Sequence, residues 1–249
     1  MMAFLKKELL EVWRTKKIIL LAVIFMLFGI MSPLIAKLTP EIVKMSFGED
    51  FPMTAPTSID SWMQFYKNIN QMGVYLFAII FSGVVNQEVS KGTLVPLVTK
   101  GLKRPIILLS KAIMLYIQWG FSVLVSFGIT YGYTWYYFPD NQSPYPWLAM
   151  LPLFIFGLFL VSLILLASTM TKSSFEALLI MVSVMIIGYV ANLFEVVKNW
   201  NPLSLIGQNV AILTDRAVFV DLLPSMMLTI ALSVLFVLCS LMIFRNKKL

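Results

Sequence analysis

Six stretches of this 249-residue chain contain no Lys, Arg, Asp or Glu over at least 18 residues: 18–36, 68–87, 112–139, 141–171, 177–194 and 222–244. A membrane-crossing helix needs about 20 predominantly apolar residues, because the hydrocarbon core is about 30 Å thick and a helix rises about 1.5 Å per residue. The runs are read as six transmembrane helices, trimmed to 18–36, 69–87, 112–138, 147–170, 176–194 and 223–244. Composition excludes the alternatives. The chain is 59% hydrophobic and 12% charged, against about 25% charged in an ordinary soluble domain. A soluble fold of this length could not hide so much apolar side chain. Cys239 is the only cysteine, which excludes a disulfide scaffold. The expected fold is all-α, a polytopic membrane helix bundle forming one domain over 1–249.

Six spans put both termini on one side. Lys and Arg number fourteen on that side and five on the other. This bias sets orientation, so both termini are expected to be cytoplasmic in a multi-pass protein of a bacterial plasma membrane. Fourteen basic and four acidic residues give the inner side a net +10, while the outer side carries −3. The overall +7 therefore reflects topology and does not indicate nucleic acid. Tyr131, Tyr133, Trp135, Tyr136, Tyr137 and Phe138 close the third span, and Tyr145 and Trp147 open the fourth. Such rings favour the headgroup layer. Lys16 and Lys17 before the first apolar run have the layout of a cleaved leader. No convincing small-x-small site precedes Lys37, however, so the span is read as retained.

Four segments outside the spans carry pattern. Residues 1–17 hold an amphipathic helix, with Met2, Leu5, Leu9, Val12 and Trp13 at spacings of three and four and Lys6, Lys7, Glu11 and Arg14 mostly opposite. A basic helix with Trp on its apolar face suits the membrane surface; the plainer reading is a charged leader that only fixes topology. The loop 88–111 is punctuated by Gly92, Pro96, Gly101 and Pro105, and Leu94, Leu97 and Val98 give it one short apolar helical face suited to docking. A solvated basic loop is the alternative. Residues 37–67 read as surface loop with a short helix before the second span. Residues 195–221 are apolar but too short to cross, and read as an outer re-entrant or interfacial segment.

Most catalytic readings are weak. There are no histidines, no G-x-G, no Gly-Lys pair and no G-x-S-x-G, which removes the dinucleotide, phosphate-loop and nucleophile-elbow motifs. Metal ligation loses its commonest side chain. No ionisable residue falls within a trimmed span away from its ends, against proton-driven transport. Gln118, Ser122, Ser126 and Thr130 form one polar stripe on the third span, and Gly128 and Gly132 make the only G-x-x-x-G. Stripes of this kind usually let helices approach closely; the second reading is that the four line a translocation path. Asn192 is similarly ambiguous, and the Asn141-Gln142-Ser143 sequon is a short match.

The stretch Glu88-x-x-x-Gly92-Thr93-Leu94-x-x-Leu97, then Arg104 and Lys111, resembles the cytoplasmic loop of type-2 ABC exporter permeases. The N-terminal helix, six spans, Asn201-Pro202 and the outer segment before the last span fit the same resemblance. It implies a permease subunit that is not itself an enzyme, with ATP and Mg on a separate cytoplasmic ABC ATPase. Two permease subunits, identical or paralogous, would pair. Glu88, Gly92, Thr93, Leu94, Leu97 and Arg104 would couple to the ATPase. Glu88 would end the second span, Gly92-Thr93 would shape a turn, and Arg104 would cap or pair beneath the third span. Leu5, Leu9, Val12 and Trp13 would seat the interfacial helix. An apolar bundle with 16 methionines favours a hydrophobic or amphipathic cargo, with a toxin- or bacteriocin-like peptide first and lipid-linked or drug-like cargo next. A non-transporting scaffold or immunity protein, and an intramembrane enzyme, are the competing classes.

Overall fold

The computed structural model describes residues 2–47, 55–140 and 142–247. Asn141 of the sequon, Pro52 of the outer loop and Lys248 of the tail lie outside them. Among the described residues every regular element is helical. Six helices are long and apolar enough to cross a membrane: Lys17–Ser46, Ser58–Ser90, Arg104–Tyr137, Pro146–Met170, Ser174–Ala191 and Leu223–Asn246. The expected all-α bundle of six spans is what the chain forms.

Helix α1 (Met2–Arg14) lies before the first span and turns into α2 (Lys17–Phe47) at Lys16, whose φ of 56° makes a left-handed elbow. The 31 residues of α2 run about 46 Å, well beyond the expected end at 36. Much of the expected loop 37–67 is therefore helical. Helix α3 (Ser58–Asn68) starts where the Thr57 N–H donates to the Asp60 carboxylate at 2.8 Å. It passes through a π-helical turn at Ile69–Gly73 into α4 (Val74–Phe81) without a break. A π-turn inserts an extra residue and re-aims the side chains beyond it; here Asn70 in that turn donates to the Ile206 carbonyl.

Short helices α5 (Asn86–Ser90) and α6 (Val95–Thr99) form the loop before α7 (Arg104–Tyr137). Helix α8 (Pro146–Met170) is central: 72% of its apolar window is buried, against 17% in α9 (Ser174–Ala191) and 22% in α14 (Leu223–Asn246). Helices α9 and α14 thus leave most of their apolar windows uncovered by the rest of the chain. Between them lie α10 (Glu195–Lys198), α11 (Pro202–Gly207), α12 (Asn209–Thr214) and α13 (Ala217–Asp221). Asn201 caps α11 by accepting the Leu203 N–H at 3.1 Å, and Pro202 fills the first helical position. Leu203, Leu205, Ile206, Ile212 and Leu213 are buried, so α11 and α12 pack into the bundle, whereas α10 and α13 bury no residue. Asn209 joins α12 to α8, donating to the Ala149 carbonyl at 2.7 Å.

The polar stripe on α7 is a helix seam. Gln118, Ser122, Ser126 and Thr130 are all buried. Pro33 lacks the N–H that would bond the Gly29 carbonyl one turn earlier, and Thr130 of α7 donates its hydroxyl to that carbonyl at 3.2 Å. A Cβ on Gly29 would come within 2.7 Å of the Ser126 carbonyl oxygen, which shows how closely α2 and α7 approach. Ser122, Ser126 and Thr130 therefore do not line a path within this chain; Gln118, deeper along the same face, borders a cavity described below. Gly128 and Gly132 lie on another face of α7, where no neighbouring atom would meet a Cβ.

Candidate functional site

The chain's chemistry gathers at the end of the bundle that carries both termini. Arg104, which opens α7, donates to the carbonyls of Phe244, Arg245 and Lys247 at 3.1, 2.7 and 2.7 Å. Phe244 and Arg245 lie in the last turn of α14, where carbonyls run out of intrahelical partners, and Lys247 follows the helix. Arg104, expected to cap or pair beneath the third span, sits at the start of that span and caps the end of the sixth. Lys247 in turn donates to the Thr169 and Thr171 carbonyls at 2.6 and 3.0 Å, closing the end of α8. Ser168 of α8 accepts the N–H groups of Val85 and Asn86 at 3.0 and 3.2 Å, a cap for α5 supplied from another helix.

Two glycines fold the loop. Gly92 (φ 65°) and Gly101 (φ 90°) are left-handed, a conformation that costs a side-chain-bearing residue roughly 1–2 kcal/mol. Each ends a short helix in the same way. The Gly92 N–H donates to the Val89 carbonyl and the Thr93 N–H to the Glu88 carbonyl; Gly101 and Leu102 repeat this on Val98 and Leu97. This is the paired-bond C-terminal stop that favours glycine. It also decides which face of α6 is free. Leu94 is fully buried, and Leu97 and Val98 pack against the chain's own core. The expected docking face is therefore turned inward, and Val95, Pro96 and Thr99 of α6, with Lys100 just after it, are exposed.

At the centre lies a cluster that sequence reading missed. The ammonium of Lys111, 2% exposed, sits 3.1 Å from Glu8 and 2.8 Å from Glu88. Lys7 adds contacts to Glu8 at 3.2 Å, Glu11 at 2.6 Å and Glu88 at 3.4 Å. The expectation placed Lys111 at the mouth of a span beginning at 112. Helix α7 begins at Arg104, so Lys111 lies two turns inside it and is buried among protein. Glu8 was passed over, although it sits four residues from both Phe4 and Val12. Those three side chains are the buried face of α1. Val12 and half-buried Leu5 thus face the bundle, whereas Leu9 and Trp13 are 54% and 65% exposed. The helix has a bundle side and an apolar outer side.

The carboxylates of Glu8, Glu11 and Glu88 lie within 4.8 Å of one another. That spacing is compatible with a metal, but the two lysine ammoniums already occupy the space between them. The cluster is an ion-pair network joining α1, α5 and α7. Breaking such a pair leaves a buried charge unmatched, so the three helices move as one body or separate at high cost. Burial acts to lower the Lys7 pKa, but the hydrogen bond to Glu11 and the charges of Glu88, Glu8 and Glu11 outweigh it and hold Lys7 above its ordinary range. Burial acts to raise Glu11, and the hydrogen bond and charge of Lys7 outweigh that and lower it. A depressed carboxylate stabilises the fold above its ordinary pKa of 4.5 and loses that contribution as pH falls through the folded value. A raised ammonium contributes below 10.5 and loses its part as pH rises beyond it. The protection factors for amide exchange across 2–14, corrected for the intrinsic pH dependence of exchange, should therefore be flat between about pH 5 and 9 and fall below about 4.5. Release beginning near neutrality would show that this pair does not hold α1.

Two comparisons bear on what such an arrangement belongs to. An uncharacterized transmembrane protein, YxlG of Bacillus subtilis (strain 168), is 26% identical over 144 residues, and the matched stretch spans 56% of either chain. The present chain thus covers little more than half the length of that relative. No solved structure matches. The family described as ABC-2 family transporter protein matches residues 2–205, a stretch that takes in α1, the ion cluster, the two-glycine loop and the first five spans. The chain belongs to the ABC-2 transporter family.

Proposed function

We propose that the protein is the membrane permease subunit of an ATP-driven exporter, energised by a separate cytoplasmic ATPase that docks on the end carrying both termini. The network of Glu8, Lys111 and Glu88 carries this reading. It welds the surface helix α1 and the loop 86–104 to the third span, so a push on the loop reaches α7 without being absorbed locally. Arg104 and Lys247 extend the same connection to α14 and α8. The exposed residues Val95, Pro96, Thr99 and Lys100 are the face offered to the ATPase, while Leu94 and Leu97 hold that face from within. Two permease subunits, identical or paralogous, would form the transporter, consistent with the large apolar surface of α9 and α14.

The cargo we propose is hydrophobic or amphipathic, with a toxin- or bacteriocin-like peptide as the leading case. A groove of about 430 Å³ between α7, α8 and α14 supports this class. Ile113, Ile117, Val161, Val234 and Leu238 line it. Its serines, Ser162 and Ser233, already donate to the carbonyls of Phe159 and Thr229. The groove therefore presents no free hydroxyl hydrogen and suits an apolar surface.

Co-purification with a candidate ATPase tests the reading. Val95→Glu should lower ATP hydrolysis by the assembled complex about tenfold, a loss of about 1.4 kcal/mol of coupling, while thermal stability stays within about 0.5 kcal/mol. If the complex forms and hydrolyses ATP equally with Val95→Glu, α6 is not the docking element. If no ATPase associates, the scaffold reading takes its place.

A further inference from the structure

Behind the ion cluster lies a cavity of about 380 Å³ between the α1–α2 elbow, α5 and α7, many times the roughly 30 Å³ share of one water. Its inner part holds two buried acceptors with no partner: Glu88 Oε2 and Gln118 Oε1. Gln118 is 2% exposed and lies two turns beyond Lys111 on the same face of α7. Three carboxylates, Glu8, Glu11 and Glu88, meet two ammoniums, Lys7 and Lys111, so the contact network is one positive charge short. The outer part of the cavity is basic. Lys17 and Lys91 line it, and neither joins a salt bridge among the described residues. Lys17 lies over the Phe81 ring at 5.7 Å.

A buried acceptor without a donor is costly, so an occupant of the inner part must bring N–H or O–H groups; the carboxylate excess of the inner contacts favours a cation there, while Lys17 and Lys91 bring the whole lining to four ammoniums against three carboxylates. Free ammoniums at the rim select an anion there. The cavity opens beside the first residue of the first span, where Leu9 and Trp13 of α1 expose apolar surface, the level of the lipid headgroups. We propose that this cavity binds the phosphoethanolamine headgroup of an aminophospholipid, its ammonium donating to Glu88 Oε2 at the inner end and its phosphate held by Lys17 and Lys91. Gln118 closes the polar floor and receives a donor from the ammonium or from water beneath it. The site shares Glu88 and Lys111 with the proposed coupling network, but lipid binding to the permease alone is read without an ATPase, so its failure is distinguishable from failure of that reading.

The test is native mass spectrometry of the purified full chain in detergent with three lipids of identical acyl chains: phosphatidylethanolamine, phosphatidylcholine and phosphatidylglycerol. Trimethylation removes every N–H from the ammonium and leaves the phosphate unchanged. Phosphatidylethanolamine should bind about tenfold more tightly than the other two, the scale of one charge-assisted hydrogen bond. Equal binding of the ethanolamine and choline lipids, or a preference for phosphatidylglycerol, would overturn the proposal, and this comparison needs no variant. Lys17→Gln with Lys91→Gln should weaken phosphatidylethanolamine by about tenfold; unchanged binding would also overturn it. Glycerophosphoethanolamine, added as a soluble competitor, separates the sources. Displacement shows that the headgroup alone is recognised, and retained lipid preference without displacement shows that the ligand is taken from the bilayer; either result supports the site.

Discussion

Replacing Glu8 by alanine should cost about 3 kcal/mol of stability, at the lower end of the 3–5 kcal/mol typical for breaking a buried ion pair. Lys111 keeps Glu88 but loses both Glu8 oxygens, at 3.1 and 3.2 Å, and its side chain is only 2% exposed. The lost methylenes add little; the cost comes from the charge left behind. Lys6→Ala on the exposed side of α1 should change stability by less than about 0.5 kcal/mol, since Lys6 enters none of the ion pairs. Unfolding in a denaturing detergent titration would measure both. Proteolysis would also show whether α1 leaves the bundle in the Glu8→Ala protein. A Glu8→Ala cost near that of Lys6→Ala would mean the cluster holds nothing together.

The second large effect is expected at Gly157, on the face of α8 that meets α7. A methyl group there would overlap the indole of Trp119. Trp119 cannot step aside: it is fully buried, with Phe25 and Phe77 edge-on at ring-centroid distances of 6.2 and 5.3 Å. Overpacking against a confined ring costs about 1–3 kcal/mol, more than the fraction of a kcal/mol that alanine gains over glycine in a helix. Gly157→Ala should therefore destabilise the protein. Gly128→Ala, where nothing lies within 4 Å, should be neutral or slightly stabilising. Thermal unfolding of the two variants side by side separates packing from helix propensity, and equal shifts would contradict the close α7–α8 contact.

The six spans were legible because hydrocarbon tolerates almost no charge, so the charge-free runs mark membrane residence directly. That signal does not mark where helices end. Helix α2 continues to Phe47 through Lys37, Glu41 and Lys44, since water accepts a charged helix as readily as a loop. The same blind spot hid the ion cluster. Lys111 looked like a residue at a span's mouth, and only the helical register from Arg104 together with the packing of α1 places it inside. Glu8 carried a faint signal, an acid on the same stripe as Phe4 and Val12. Its partner is 103 residues away, and pairing over such a distance is a tertiary fact. The docking face of α6 misled for a related reason. An apolar triplet between charges has two possible destinations, a partner or the chain's own core, and Leu94 at 0% exposure went to the core. Gly92 and Gly101 were readable as breaks, and the structure adds the matched bonds that make each a helix stop.

The sequence separation of these contacts orders the birth of the protein in time. Glu8 leaves the ribosome 103 residues before Lys111, which at about 5–20 residues per second is about 5–20 s. Through that interval α1 must wait at the membrane surface, its acid still hydrated, until the third span delivers the counter-charge. Arg104 waits longer, because the carbonyls it caps lie 140 to 143 residues downstream and exist only as translation reaches the tail. A nascent chain cut short before Phe244 would hold its spans in the bilayer with that end of the bundle unlatched.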